Sequence, residues 1–146
     1  MKFTQTEKKQ LMIYVIIAYG ITYVLGFLMW YGYGKGIDLS AFPNAQMLYP
    51  AAGVMMAYLI TRKDDKKLPK AFYIFFVALT AVMVVCAAAS VMAPVNIDLM
   101  GTPFSQWMLI LQYVMIGGSI VFWILLLVSG KEKRRAYGLN SNQWGT

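Results

Sequence analysis

Residues 106–129, QWMLILQYVMIGGSIVFWILLLVS, carry no charged side chain, and Lys131, Lys133, Arg134 and Arg135 follow almost at once. A helix rises ~1.5 Å per residue, so this run extends ~36 Å. About 20 apolar residues cross a hydrocarbon core of ~30 Å, which leaves this segment room for tilt. A basic cluster just beyond an apolar run is the signal that holds one end in the cytoplasm. The other hydrophobic stretches repeat the same grammar, and the chain reads as a membrane protein.

Composition agrees. Hydrophobic residues make up 60% of the chain and charged ones 13%, roughly half the charge that a water-exposed surface of this size calls for. The length suits one domain, which in a bilayer is a small helical bundle. The net charge of +7 does not point to nucleic acid. The basic residues sit in short blocks beside apolar runs, where anionic lipid headgroups at the cytoplasmic face would meet them. The single cysteine, Cys86, lies inside an apolar run, and histidine is absent. That excludes a disulfide framework, and it removes the imidazole ligands on which membrane zinc and di-iron sites depend. No cofactor is expected in this chain.

Four spans follow from the pattern. After a polar N-terminus with Lys2, Lys8 and Lys9, residues 11–30 form the first. They are too long for a signal-peptide core, and no small-x-small cleavage site follows them. Tyr14, Tyr19 and Tyr23 recur at spacings of five and four. With Thr22 they either face other helices or pack with their hydroxyls on backbone carbonyls, and the second reading is the plainer one. Trp30, Tyr31 and Tyr33 suit a headgroup belt. Gly32, Gly34 and Gly36 are expected to break the helix there. The sequence YGYGKG is not a phosphate loop, since no strand precedes it and no GK[ST] follows.

Residues 45–61 form the second span. It is short and rich in small side chains, with Pro50 expected to kink it and Gly53 and Ala57 to let another helix approach closely. The turn RKDDKKLPK brings Arg62, Lys63, Lys66, Lys67 and Lys70, with Pro69 suited to the first turn of the next helix. Residues 71–93 form the third span, aromatic at one end and small-sided at the other, where Cys86 with Ser90 and Ala89 with Ala93 repeat a four-residue spacing. Cys86 has no histidine or base beside it in the pattern and reads as a small hydrophobe.

Pro94 closes that helix, and the loop PVNIDLMGTPFS leads to the fourth span, residues 106–129. Gln112 there is expected to hydrogen-bond another helix, and Gly117, Gly118 and Ser119 to form a thin waist. In the tail, Gly138 reads as a helix stop and Asn140 or Ser141 as a cap for a further element, and the chain is expected to be a fragment or a truncated relative. All but one of the 13 basic residues fall in segments that this arrangement puts inside; Lys35 is the exception. The fold expected is therefore all-α, a polytopic membrane protein with four transmembrane helices and both termini cytoplasmic.

The run from Ile21 to Phe76 resembles the N-terminal part of bacterial members of the CPBP family, the intramembrane CAAX-type prenyl proteases and bacteriocin-processing (Abi) proteins. The likeness is carried by the first long span, by FPNAQMLYPAAGV from Phe42 to Val54, by LITRK and LPK around the basic turn, and by YGL at Tyr137 to Leu139. The resemblance implies a metallo-endopeptidase in the parent family. Activity there belongs to later helices bearing EExxxR, FxxxH and HxxxN or HxxxD motifs. This chain has only Glu7 and Glu132, unpaired, and no histidine. No catalytic, cofactor-binding or metal-binding residue carries over, and the chain alone is not expected to cleave peptides.

The expected role is thus a membrane scaffold in the bacterial cytoplasmic membrane, partnered by lipid and by missing C-terminal catalytic helices or other membrane subunits. The alternative is a stand-alone immunity-type or accessory protein. A small transporter is the weaker reading, because coupled transport generally uses an ionisable residue within the membrane and these spans hold none.

Overall fold

A computed structural model describes residues 3–138. Helix α1 runs Gln5–Gly34, α2 Phe42–Gln46, α3 Tyr49–Thr61 and α4 Lys70–Met92; strands β1, Asn96–Leu99, and β2, Thr102–Ser105, precede α5, Gln106–Val128, and α6, Lys131–Ala136. The chain is mostly helical, and among the described residues α1, α4 and α5 are the three helices long and apolar enough to cross a membrane. The expected features at Leu139, Asn140 and Ser141 lie outside the described residues. Gly138 does stop a helix, at φ 68° just beyond α6.

Helix α1 overruns the expected 11–30 at both ends. It starts early because Thr4 and Glu7 make a reciprocal cap: the Glu7 amide donates to the Thr4 hydroxyl at 3.3 Å, and the Thr4 amide donates to the Glu7 carboxylate at 2.7 Å. It continues through two of the three glycines expected to break it. Gly32 is buried, and a Cβ there would lie 3.0 Å from Leu39 and 3.3 Å from Val91, so its role is close packing. Gly36 alone ends the helix. It sits at φ 67°, its amide donates to the Tyr33 carbonyl and that of Ile37 donates to Gly32 at 3.0 Å, a left-handed glycine cap.

The expected span 45–61 is divided. At ~20 Å, α3 falls short of a hydrocarbon core, while the whole run from Phe42 to Thr61 would reach ~30 Å. The division has a covalent cause. Pro50 has no N–H to donate to Gln46, so the helical ladder stops before it and restarts with Pro50 in the first turn of α3. Pro50 thus opens a helix and does not kink one. The broken backbone stays bonded, with the Met47 amide on the Pro43 carbonyl at 3.3 Å and the Leu48 amide on Ala45 at 3.2 Å. It is also covered, since Phe42 and Ala45 are wholly buried. Breaks of this kind are tolerated at membrane depth only inside protein. Pro69 stands one position ahead of α4, as its N-cap.

The all-α expectation needs a second correction. Strands β1 and β2 form an antiparallel hairpin, with Asn96 opposite Ser105 and Leu99 opposite Thr102. Its two turn residues, Met100 and Gly101, have φ 53° and 81°, the conformation that matches the twist of paired strands. The pairing satisfies loop amides that no helix serves.

Helix α1 packs chiefly on α3, α3 on α4 and α4 on α5, while α2 is tucked against α4 and α5. The Gln10 side chain donates to Thr61 at 2.8 Å, and Tyr137 to Asp65 at 2.6 Å, so the N-terminal segment, the 62–69 turn and α6 share one end of the molecule, the basic end. Lys35, Pro94 and the hairpin lie at the other. One core cluster, around Leu25, Phe42, Tyr49, Met83 and Leu111, fills the Lys35 half; a second, around Leu68, Phe72 and Tyr73, fills the basic end. Outward faces are apolar: Phe27, Trp123 and Val128 are all more than 60% exposed. Surface of that kind is at home in lipid and aggregates in water.

Candidate functional site

The densest meeting of polar and aromatic groups lies at the basic end. Tyr58 leaves α3, Tyr73 stands in the first turn of α4, and Tyr137 follows α6; they meet because α3 ends and α4 begins at the short turn against which α6 folds back. Ring centroids are 6.2 Å apart for Tyr58 and Tyr73, 5.7 Å for Tyr58 and Tyr137, and 6.1 Å for Tyr73 and Tyr137, with Tyr137 edge-on to both. Phe72 stacks on Phe122 of α5 at 4.1 Å. Aromatic pairs of this geometry add ~0.5–1.5 kcal/mol each beyond area burial.

Polar contacts close the cluster. The Tyr137 hydroxyl donates to the Asp65 carboxylate at 2.6 Å, and the Lys67 amide donates to the same carboxylate at 2.8 Å. These two donors hold the Asp65 carboxyl below its ordinary range. Partial burial, and then the neighbouring carboxylate, push the Tyr137 phenol above its ordinary value. The Arg62 guanidinium lies 5.3 Å from the Tyr58 ring centre. The arrangement packs ring against ring. Its chemistry is that of a clasp: it fixes the basic run of α6, Lys131 to Arg135, against the turn that carries Arg62 to Lys70.

The Thr4 and Ser40 hydroxyls each donate to a carboxylate at 2.9 Å, those of Glu7 and Asp38, as parts of a helix cap and a turn. Cys86 is half-buried against the Lys35-end core, which fits its reading as a small hydrophobe. Among the described residues no three histidine, cysteine, aspartate or glutamate side chains come together as metal ligands would. Hydroxyls within the helices are used locally: Thr22 donates to Ala18 at 2.7 Å, Thr80 to Phe76 at 2.9 Å and Ser90 to Ala87 at 2.7 Å. Such back-bonding lets a hydroxyl sit at membrane depth without a second helix.

Several sequence readings are corrected by position. Tyr19 and Tyr23 are more than half exposed and neither face a helix nor pack inside; only Tyr14 of the three turns inward, against Gly53. Gln112 is exposed, and its amide finds no hydrogen bond among the described residues. The narrow waist of α5 is Gly118 alone, where a Cβ would meet Leu79 at 2.7 Å, whereas Gly117 faces open space. Ala93 is exposed and takes no part in a small-residue stripe. Trp107 holds an unanticipated contact: its indole N–H donates to the Ala93 carbonyl at 2.8 Å and caps the end of α4.

The three tyrosines come from segments far apart in the chain, and nothing in the local pattern announces their meeting. Compared with family models, curated proteins and solved structures, the chain matches none.

Proposed function

We propose that this chain is a four-pass integral membrane scaffold with both termini in the cytoplasm, in which α2 and α3 together make the second crossing. The observation that carries this reading is the distribution of charge. All but one of the 13 basic residues lie in the N-terminal segment, the 62–70 turn or the 131–135 run, and these segments converge on one end. An excess of lysine and arginine of this kind faces the cytoplasm. A bacterial cytoplasmic membrane is the compartment that this reading and the likeness to CPBP proteins imply together.

The scaffold role follows from what the crossings lack and what they expose. Beyond Lys9, no charged side chain enters α1, α3 or α5, so the interior offers no proton relay or ion path. Helices α1 and α5 keep most of their apolar surface outward, and Gln112 presents a carboxamide on the outer face of α5. A polar group in hydrocarbon is stabilised by a partner helix. We therefore read the outer face of α5 as the side on which further membrane helices pack, the role that the N-terminal part plays in the CPBP resemblance. Photo-crosslinking from position 112 in native membranes tests this. A discrete protein adduct is the expected result; adducts with lipid alone would contradict the scaffold role. Metal-dependent peptide cleavage by the purified chain would equally contradict it.

A further inference from the structure

A trough follows the open junction of α1 and α4. Its widest part, about 880 Å³, lies at the Lys35 end between Val24, Phe27, Leu28 and Tyr31 of α1 and Val91 and Met92 of α4. Val24 also walls a second hollow with Ile17, Ile21 and Val84, and the last three line a third that reaches Val77 and Thr80. The hollows share walls and form one groove. From Ile17 to Lys35 it runs ~27 Å along the helix axis, close to a whole hydrocarbon core of ~30 Å, so one acyl chain, which spans a single leaflet, fills its Lys35 half.

The groove is apolar except at its mouth. There Lys35, the one basic residue at this end, holds its Nζ 4.5 Å from the Tyr31 ring centre. The ring face steadies the ammonium but leaves N–H donors free, and among the described residues no carboxylate pairs with it. Nearby Asp38 is engaged by the Ser40 amide and hydroxyl, both at 2.9 Å. A second copy of the chain is a poor occupant. A two-fold axis along the membrane normal would bring two Lys35 ammoniums to the same end, where Asp38 is already engaged by Ser40 and Asp98 stands on the hairpin.

We propose that this trough binds an anionic glycerophospholipid, with one acyl chain along α1 and α4 and the phosphate on the Lys35 ammonium. The site rests on the membrane reading above, and its test has a separate readout.

The test is native mass spectrometry of the full chain released from detergent micelles with phosphatidylglycerol or phosphatidylcholine of identical acyl chains. Retention of the anionic lipid should exceed that of the zwitterionic one about fivefold, the effect of one lysine near a membrane surface. Lys35→Gln should remove the preference, Lys35→Arg keep it, and Lys66→Gln, at the opposite end, leave it unchanged. Leu28→Trp, which fills the groove, should lower retention of the anionic lipid, with circular dichroism confirming that each variant is folded. Equal retention of the two lipids, or a preference that survives Lys35→Gln, overturns the site. Displacement of the lipid by soluble glycerol phosphate overturns the acyl-chain part, and a dimer in place of the lipid adduct assigns the groove to a second copy. Elution of the protein without detergent would instead defeat the membrane reading itself.

Discussion

Gly53 is where the contact between α1 and α3 is most tightly defined. A Cβ there would lie 3.2 Å from the Tyr14 carbonyl oxygen and 3.5 Å from its Cα. Both are backbone atoms, which cannot rotate away as a flexible side chain can. Gly53→Ala gains up to ~1 kcal/mol of helix propensity and meets an overpacking cost of ~1–3 kcal/mol. The expected net result is a loss of ~1 kcal/mol. Gly53→Leu forces the two helices apart and should cost ~3 kcal/mol or more. Gly117, on the outer face of α5 with nothing within 4 Å of its would-be Cβ, supplies the internal control. Gly117→Ala takes the propensity gain without the clash and should be neutral or stabilising by up to ~1 kcal/mol. Reversible unfolding in mixed detergent and SDS micelles, followed by circular dichroism, measures all three. A Gly53→Leu variant as stable as the parent, or a Gly117→Ala loss as large as that of Gly53→Ala, would refute the packing of α1 on α3.

The Tyr49 hydroxyl is buried with no hydrogen-bond partner among the described residues, so Tyr49→Phe should leave stability unchanged or raise it by ~1 kcal/mol in the same unfolding assay; a clear loss would reveal a partner for the hydroxyl. Met100 holds φ 53° in the hairpin turn, and Met100→Asn, better suited to that region, should slow proteolytic cutting between β1 and β2; faster cutting would count against the hairpin. The clasp at the basic end has a pH window. Asp65 is held below the ordinary carboxylate value, so its contribution is present above about pH 4 and is lost as the pH falls through its lowered pKa. Tyr137 is raised, so its contribution is present below about pH 10 and is lost as the pH rises through its raised pKa. A spin label at Ala136 should therefore stay immobile between about pH 5 and 9 and be freed by Tyr137→Phe; free motion of the parent at neutral pH would dissolve the clasp.

What could be read from the sequence were the features written as uninterrupted runs. Helices α4 and α5 lie within one residue of the expected spans because no proline or charge interrupts the apolar run between Ala71 and Val91 or between Trp107 and Leu127. The charge layout was equally plain. The division of the second span was not, because a proline can kink a helix or begin one. The choice depends on whether the freed Gln46 carbonyl and its neighbours can be covered, and here the buried α2 segment covers them. The hairpin did leave a trace in the alternating Asn96, Ile97, Asp98 and Leu99, but a four-residue strand is too short to stand out beside runs of twenty. Which way Gln112 faces could not be read either, for a more general reason. A helix apolar all round does not show from sequence which face meets protein and which meets lipid. The tyrosine clasp depends on three segments returning to one place, so only the folded chain could reveal it. The glycine-rich exit of α1 was misread because Gly32 and Gly36 serve different ends, close packing in one case and a left-handed cap in the other.

The central claim is that the short α3, completed by α2, makes a crossing as complete as the other three. In a Cys86→Ala background, single cysteines at Tyr33 and Met100 mark one end, and single cysteines at Lys66 and Lys131 mark the other. A membrane-impermeant maleimide applied to intact cells should label the first pair and reach the second only after lysis. Labelling at Lys66 or Lys131 in intact cells, or protection at Met100 while Tyr33 reacts, would contradict four crossings with both termini inside.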